Sequence, residues 1–390
     1  MSQLLRTIFV FGCLSLVNLL SLYALPPLLL SPNVKNISPI LQSLIEEYKI
    51  PGMAAAVVSS DKLIAAGVAG VRSRNYPNKV TIEDQFHLGS DTKSMTATVI
   101  ARLVERGLIN WNTKVVDLFP ALQGNIDPRY NNLDLQQLLT HRGGIVPNLP
   151  FRQIQTEAGN NLVKARQMGM KQALNKAPVG NPGEYHYSNM GYVIAGHMAE
   201  KVTGEPWEQI MRTQLFFPLG MQSAGFQAPG NGLFTQPVGH TAEGKPVGLS
   251  DNPEMMGPAG TVHVSILDWA KYAMLHLRAA RGNPSLITQA LFDKLQQPVS
   301  NPPPAYAMGW GVSHPRWAQG KVLTHAGSNT YWFAIAWIAP KKDVAILVAC
   351  NQGGEDAKAA CNKAALRIRQ SLGIQSPSAL VGILENSNKN

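Results

Sequence analysis

Strand-like runs lie at both ends of this sequence, and helix-like runs fill its middle. Near the start, Met53 to Ser59 and Leu63 to Val71 flank a Ser60-Asp61 turn. Near the end, Ala305 to Val312, Lys321 to His325, Tyr331 to Ile338 and Val344 to Cys350 also read as strands, with Pro340-Lys341-Lys342-Asp343 turning between the last two. Between these groups, helical periodicity covers Ser90 to Arg106, Asp134 to Leu139, Met190 to Val202, Trp207 to Leu215 and Leu267 to Ala280. Strands at both ends with helices between predict one sheet completed by both ends of the chain. The helical middle is then a lobe inserted into that sheet, and helices at Ile37 to Tyr48 and Glu355 to Leu372 flank it. The predicted class is α/β (α+β), with an antiparallel sheet.

A length of 390 residues, 45% of them hydrophobic and 15% charged, supports a sizeable core. The net charge of +10 is scattered, with Lys341-Lys342 as a basic pair. Nucleic-acid binders cluster their charge, so a solvated basic surface is expected and no nucleic-acid partner. At the start, Arg6 precedes an apolar run from Thr7 to Leu30, broken by Asn18 and Pro26-Pro27. Such a segment predicts export, and residues 1–31 fit either a cleaved signal peptide or a membrane anchor. Residues 32–374 then form the folded domain and 375–390 a loose tail. In an oxidising compartment Cys350 and Cys361 fit either a disulfide or two separately buried thiols. The segment 222–258 is rich in Gly, Pro and Asn, and a loop of that length in a compact domain tends to be functional.

Ser90-Asp91-Thr92-Lys93 lies where the short strand-like run Gln85 to Leu88 meets a long helical run. Serine at a helix start with lysine three residues on places both side chains on one face, so the amine can reach the hydroxyl. That arrangement makes a nucleophile without a histidine. Tyr187-Ser188-Asn189 and His325-Ala326-Gly327 follow in order. Each of the three has a decoy: Ser59 to Lys62, Tyr130-Asn131-Asn132 and His141-Arg142-Gly143. Context separates them. Ser59 falls in a hairpin turn, whereas Ser90 begins a helix, Tyr187 sits on a loop before one, and His325 ends a strand. His87, near the nucleophile, reads as a packed strand residue.

With these three motifs the chain resembles the serine β-lactamase and penicillin-binding protein superfamily over roughly residues 36 to 373. The branch is the one holding class C β-lactamases, D-alanyl-D-alanine carboxypeptidases, D-aminopeptidases and family VIII esterases. Ile50-Pro51-Gly52-Met53, Leu138-Leu139-Thr140-His141, Pro218-Leu219-Gly220-Met221, Pro258-Ala259-Gly260 and Met308-Gly309-Trp310-Gly311 agree with it. The resemblance implies that Ser90 becomes acylated and that Lys93 and Tyr187 take and return the proton. It implies that Asn189 orients Lys93 and substrate. It further implies that the backbone N–H groups of Ser90 and Ser328 form the oxyanion hole, and that His325 and Gly327 shape the substrate strand. No metal or organic cofactor is implied, and no zinc-ligand spacing is visible.

Class C β-lactamases generally carry lysine where His325 stands. Lysine is a permanent cation for a substrate carboxylate, whereas histidine is largely neutral above a pKa near 6.5. The expectation is an exported serine hydrolase acting on an ester, a D-amino-acid peptide or a β-lactam. The alternative is a non-catalytic relative that binds cell-wall peptide.

Overall fold

The computed structural model describes residues 32–374 apart from 182, 231–234, 300 and 302. The expected export segment and C-terminal tail lie outside the described residues. The strands are β1 (Lys35–Asn36), β2 (Gly52–Val58), β3 (Leu63–Ser73), β4 (Tyr76–Lys79), β5 (Gln85–His87), β6 (Gly225–Phe226), β7 (Val262–Ser265), β8 (Gly311–Ser313), β9 (Val322–Ser328), β10 (Phe333–Ala339) and β11 (Val344–Cys350). One sheet runs β1-β3-β2-β11-β10-β9-β8, with β4 added on β3. The early hairpin β2–β3 therefore joins the late meander β9–β10–β11 through β2 and β11, where Met53 faces Cys350. The pairing is antiparallel except for β1 beside β3.

Period-2 alternation buries both faces of this sheet. The principal helices are α1 (Ser38–Tyr48), α2 (Thr92–Glu105), α3 (Leu162–Leu174), α4 (Asn189–Thr203), α5 (Ile266–Ala280) and α6 (Glu355–Ser371). Ala54, Ala56, Leu347 and Ala349 face the helical lobe and share a core with Met95 and Val99 of α2. Met53, Ala55, Ile346 and Val348 face the other way, onto Leu41 and Leu44 of α1 and Ala357, Ala360 and Ala364 of α6. The alanines of α6 recur at helical spacing and let it lie close to the sheet.

Three features depart from the sequence reading. The strand expected over Ala305 to Val312 shrinks to β8, because Gly309, at φ +83°, folds the chain back onto α2. A Cβ on Gly309 would lie 2.4 Å from Ser94 Cα. His325 does not end its strand: β9 continues through Ser328. A second sheet, β5-β7-β6, and the helices Phe151–Glu157 and α3 were not foreseen. Of the two readings left open for Cys350 and Cys361, the structure has free, buried thiols.

Candidate active site

β5 feeds a one-turn 3-10 helix, Gly89–Asp91, which runs directly into α2. Ser90 lies on this turn, and α2 proper begins at Thr92. Gly89 has φ +53°, and a Cβ there would sit 2.4 Å from Ser328 N. A Cβ on Gly327 would sit 1.9 Å from Leu88 O and 2.8 Å from Ser90 N. Two glycines thus let the serine turn press against β9, and they bring the Ser90 and Ser328 amides side by side.

α2 is buried almost all round, so the turn after Ser90 carries Lys93 into the interior, where it is 0% exposed. Its Nζ lies 3.0 Å from Ser90 Oγ, 2.8 Å from Asn189 Oδ1 and 2.7 Å from Ala259 O. Burial holds its pKa well below the usual lysine value, opposed by the charge of Asp91. A neutral amine has two N–H donors and one lone pair. The Asn189 and Ala259 oxygens take the donors, which leaves the lone pair for the serine hydroxyl.

Ser188 caps α4, its hydroxyl accepting Gly191 N–H at 2.9 Å, and this cap fixes Tyr187 just before the helix and Asn189 at its first position. The Asn189 amide also donates to Asn148 Oδ1 at 2.8 Å. The Tyr187 ring centroid is 4.7 Å from Lys93 Nζ. Burial raises the Tyr187 pKa above its ordinary value, and a hydrogen bond with Ser90 opposes the rise. Lys93 and Tyr187 were expected to take and return the proton together. The structure separates them: burial favours the neutral amine and the protonated phenol alike.

β9 alternates, so His325 and Gly327 face the lobe with Leu323, while Ala326 and Ser328 are exposed on the other side. His325 Nδ1 donates to Gly309 O at 2.6 Å. Burial, and to a lesser degree Lys93, lower its pKa to about 4 against the opposing Gly309 bond. The ring is therefore a neutral group at physiological pH.

The structure brings Ser90, Lys93, Tyr187, Asn189, His325, Gly327 and Ser328 together where the serine turn, α4 and β9 meet. Two decoys fall elsewhere. Ser59 bonds Asp61 in the β2–β3 turn, and Tyr130 donates to Gly144 O at 3.0 Å. The third does not: His141 packs its ring 4.4 Å from that of Tyr187 and accepts Ser188 N–H at 3.1 Å. Asn148, the Ala259 carbonyl and His141 were not named as site residues. Leu138-Leu139-Thr140-His141 was the signal for the last. Among the described residues no group of three or more His, Cys, Asp or Glu side chains gathers as a metal site.

The chain is similar to Protein flp of Staphylococcus aureus strain N315, with 23% identity over 82% of this chain and 64% of that protein. It thus spans just under two-thirds of the length of the curated relatives it matches. Its fold matches an octameric penicillin-binding protein homologue from Pyrococcus abyssi at TM-score 0.69 and 24% identity, covering 86% of this chain and 76% of the other. It also matches a class C β-lactamase from Rhodobacter sphaeroides at TM-score 0.67 and 23% identity, covering 83% and 96%. At these identities the structural likeness speaks for the fold alone. The sequence model of the Beta-lactamase family matches residues 37–370, and with that span the chain belongs to the Beta-lactamase family.

Proposed function

We propose that this protein is a serine hydrolase that forms an acyl-enzyme on Ser90 and prefers esters or amides uncharged around the reacting carbonyl. The family, whose members are mostly serine hydrolases, supports the reaction class. The observation that carries the reading is the buried Lys93 amine, with two acceptors for its N–H groups and Ser90 Oγ at 3.0 Å. Lys93 takes the serine proton as Ser90 Oγ bonds to the carbonyl carbon. The Ser90 and Ser328 amides face the oxyanion. Tyr187, held as a phenol, passes a proton to the leaving alkoxide or amine. Lys93 then passes its proton to the Tyr187 oxygen, water attacks the acyl carbon and gives a proton to Lys93, the bond to Ser90 breaks, and Lys93 returns that proton to Ser90 Oγ. The neutral, buried His325 supports the preference: it supplies no cation for a substrate carboxylate at a position where class C β-lactamases generally have lysine.

Intact-mass labelling with a fluorophosphonate on wild type, Ser90→Ala and Lys93→Met tests the nucleophile. Labelling confined to chains that keep Ser90, weak without Lys93, is expected; equal labelling of Ser90→Ala would remove the assignment. A p-nitrophenyl butyrate, a β-lactam and a D-Ala-D-Ala peptide assayed side by side test the substrate. The ester is expected to have the highest kcat/KM, and a β-lactam ahead of it would overturn the preference. Residues 1–31 are further proposed to direct export, supported by Arg6 and the apolar run behind it. No helix among the described residues is long and apolar enough to cross a membrane. Mature protein starting near residue 25 to 35 in an extracytoplasmic fraction is the expected result.

A further inference from the structure

Behind the serine turn, three buried polar side chains form a continuous bridge from one side of the oxyanion site to the other. His87, at the end of β5, is 0% exposed, and its Nδ1 accepts the Gly89 N–H at 3.0 Å. A neutral ring that accepts at Nδ1 carries its proton on Nε2. That atom lies 3.1 Å from Asp251 Oδ2, in contact though not aligned for a linear hydrogen bond. Neither atom has another hydrogen-bond partner among the described residues. The other oxygen of Asp251 accepts the Asn329 side-chain N–H at 2.6 Å and the Asn252 backbone N–H at 2.6 Å. Asn329 Oδ1 in turn accepts Tyr331 N–H at 3.2 Å.

The ends of this bridge decide its meaning. Gly89 precedes Ser90 and Asn329 follows Ser328, so each end holds the residue next to one of the two amides that face the oxyanion. The amides sit on separate elements, the serine turn and the end of β9, and their spacing is not set by either element alone. Two desolvated side chains and a carboxylate are costly to bury, and their polar links must recover that cost. Resting on the serine-hydrolase reading, we propose that Asp251 is a positioning residue. Through His87 on one side and Asn329 on the other, it fixes the separation of the Ser90 and Ser328 N–H groups. This assigns a task to Asp251 in the segment between β6 and β7.

Asp251→Asn tests this at constant volume. Its amide oxygen can still accept from Asn329, but its NH2 then meets the Nε2–H of His87, donor against donor. Displacing the oxyanion donors is expected to lower kcat on p-nitrophenyl butyrate by about 10- to 100-fold. KM should stay within about twofold of wild type, since ground-state binding does not use the oxyanion geometry. Affinity for an alkyl boronic acid, which forms a tetrahedral adduct on the serine, should fall with kcat. A merely structural role would lower thermal stability without moving kcat and boronate affinity together. A folded Asp251→Asn protein with wild-type kcat and boronate affinity would overturn the proposal. If Asp251→Asn does not fold, Asn329→Ala removes one link and is expected to give the same paired loss; unchanged values in it would equally overturn the proposal. Wild type that neither hydrolyses the ester nor labels at Ser90 would instead remove the serine-hydrolase reading itself.

Discussion

Lys93 Nζ stands 3.0 Å from Ser90 Oγ, while its other two partners, Asn189 Oδ1 and Ala259 O, can only accept. The serine hydroxyl is thus the one neighbour in the set that can give the amine a proton. Burial lowers the pKa of this amine well below the lysine value of 10.5. A general base works only when deprotonated, so lowering its pKa extends activity downward in pH. The rising limb of kcat/KM for a small ester is therefore expected well below pH 10.5, with a plateau above it. Lys93→Met should cut kcat by about 100-fold or more. A pH–rate profile whose rising limb centres on the ordinary lysine value would contradict the assignment.

Tyr187 is held the opposite way. Its phenol is raised by burial, so it stays protonated across the range in which Lys93 is already neutral. Two groups whose surroundings make one a base and the other an acid can divide the proton steps. An acid is needed most by the poorest leaving group. Tyr187→Phe is expected to cost little with p-nitrophenyl esters and about 100-fold or more with alkyl esters or amides. Leaving-group dependence of kcat across such a series checks this. A uniform loss for all leaving groups would make Tyr187 a packing residue of the cleft.

The framework of this site was legible in the sequence because its signals are local. A serine and a lysine three residues apart at a helix start, a tyrosine on the loop just before a helix, and the short apolar runs of β10 and β11 each follow from neighbouring residues. What was missed depends on distant ones. α3 buries Arg166, a charged residue where an apolar one would mark the inner face, because Glu200 and Glu208 pair with it across the lobe. The second sheet consists of strands of two to four residues, too short for a periodic pattern. Asp251 joins His87 across more than a hundred residues of chain, from a loop with no pattern at all. His325 does not end its strand because pairing with Phe333 and Ala334 on β10, distant in the chain, carries β9 on to Ser328.

Asp91 follows the nucleophile and is 1% exposed, and neither carboxyl oxygen has a hydrogen-bond partner among the other described residues. Burial raises its pKa well above 3.8, against the opposing charge of Lys93. A carboxyl whose folded pKa is raised binds its proton more tightly when folded. Its contribution is fully present below the unfolded pKa and is lost as pH rises through the folded one. Asp91→Asn keeps the shape and removes that loss. The variant is expected to melt higher than wild type near pH 7, with the gain vanishing near pH 4. It should also shift the acid limb of activity downward, because an ionised Asp91 raises the Lys93 pKa. A lower melting temperature at neutral pH would show instead that Asp91 and Lys93 stabilise the fold as an ion pair.

Four buried histidines make the fold sensitive to acid. Burial lowers His240, His263 and His325 to about 4 and His276 to about 3, all from 6.5. The first three each bond a backbone carbonyl through Nδ1, at 2.7, 2.7 and 2.6 Å. A second proton on any of these rings would introduce an unsolvated charge. The unfolded chain binds protons below about pH 6.5 and the folded one does so only below about pH 4, so stability falls as pH drops through that window. The histidine contribution to the melting temperature is expected to be flat above about pH 7 and to fall below pH 6.5. His276 is the cleanest probe, since Tyr272, Phe292 and Trp310 surround it with ring centroids 5.1, 5.6 and 5.3 Å away. His276→Phe leaves the Gln296 amide without its 3.2 Å partner, a cost of about 1 kcal/mol at neutral pH. In return it removes one titrating ring, so its melting temperature should fall less steeply between pH 6.5 and 4 than that of wild type. An unchanged slope would show that the ring at His276 does not take up a proton on unfolding.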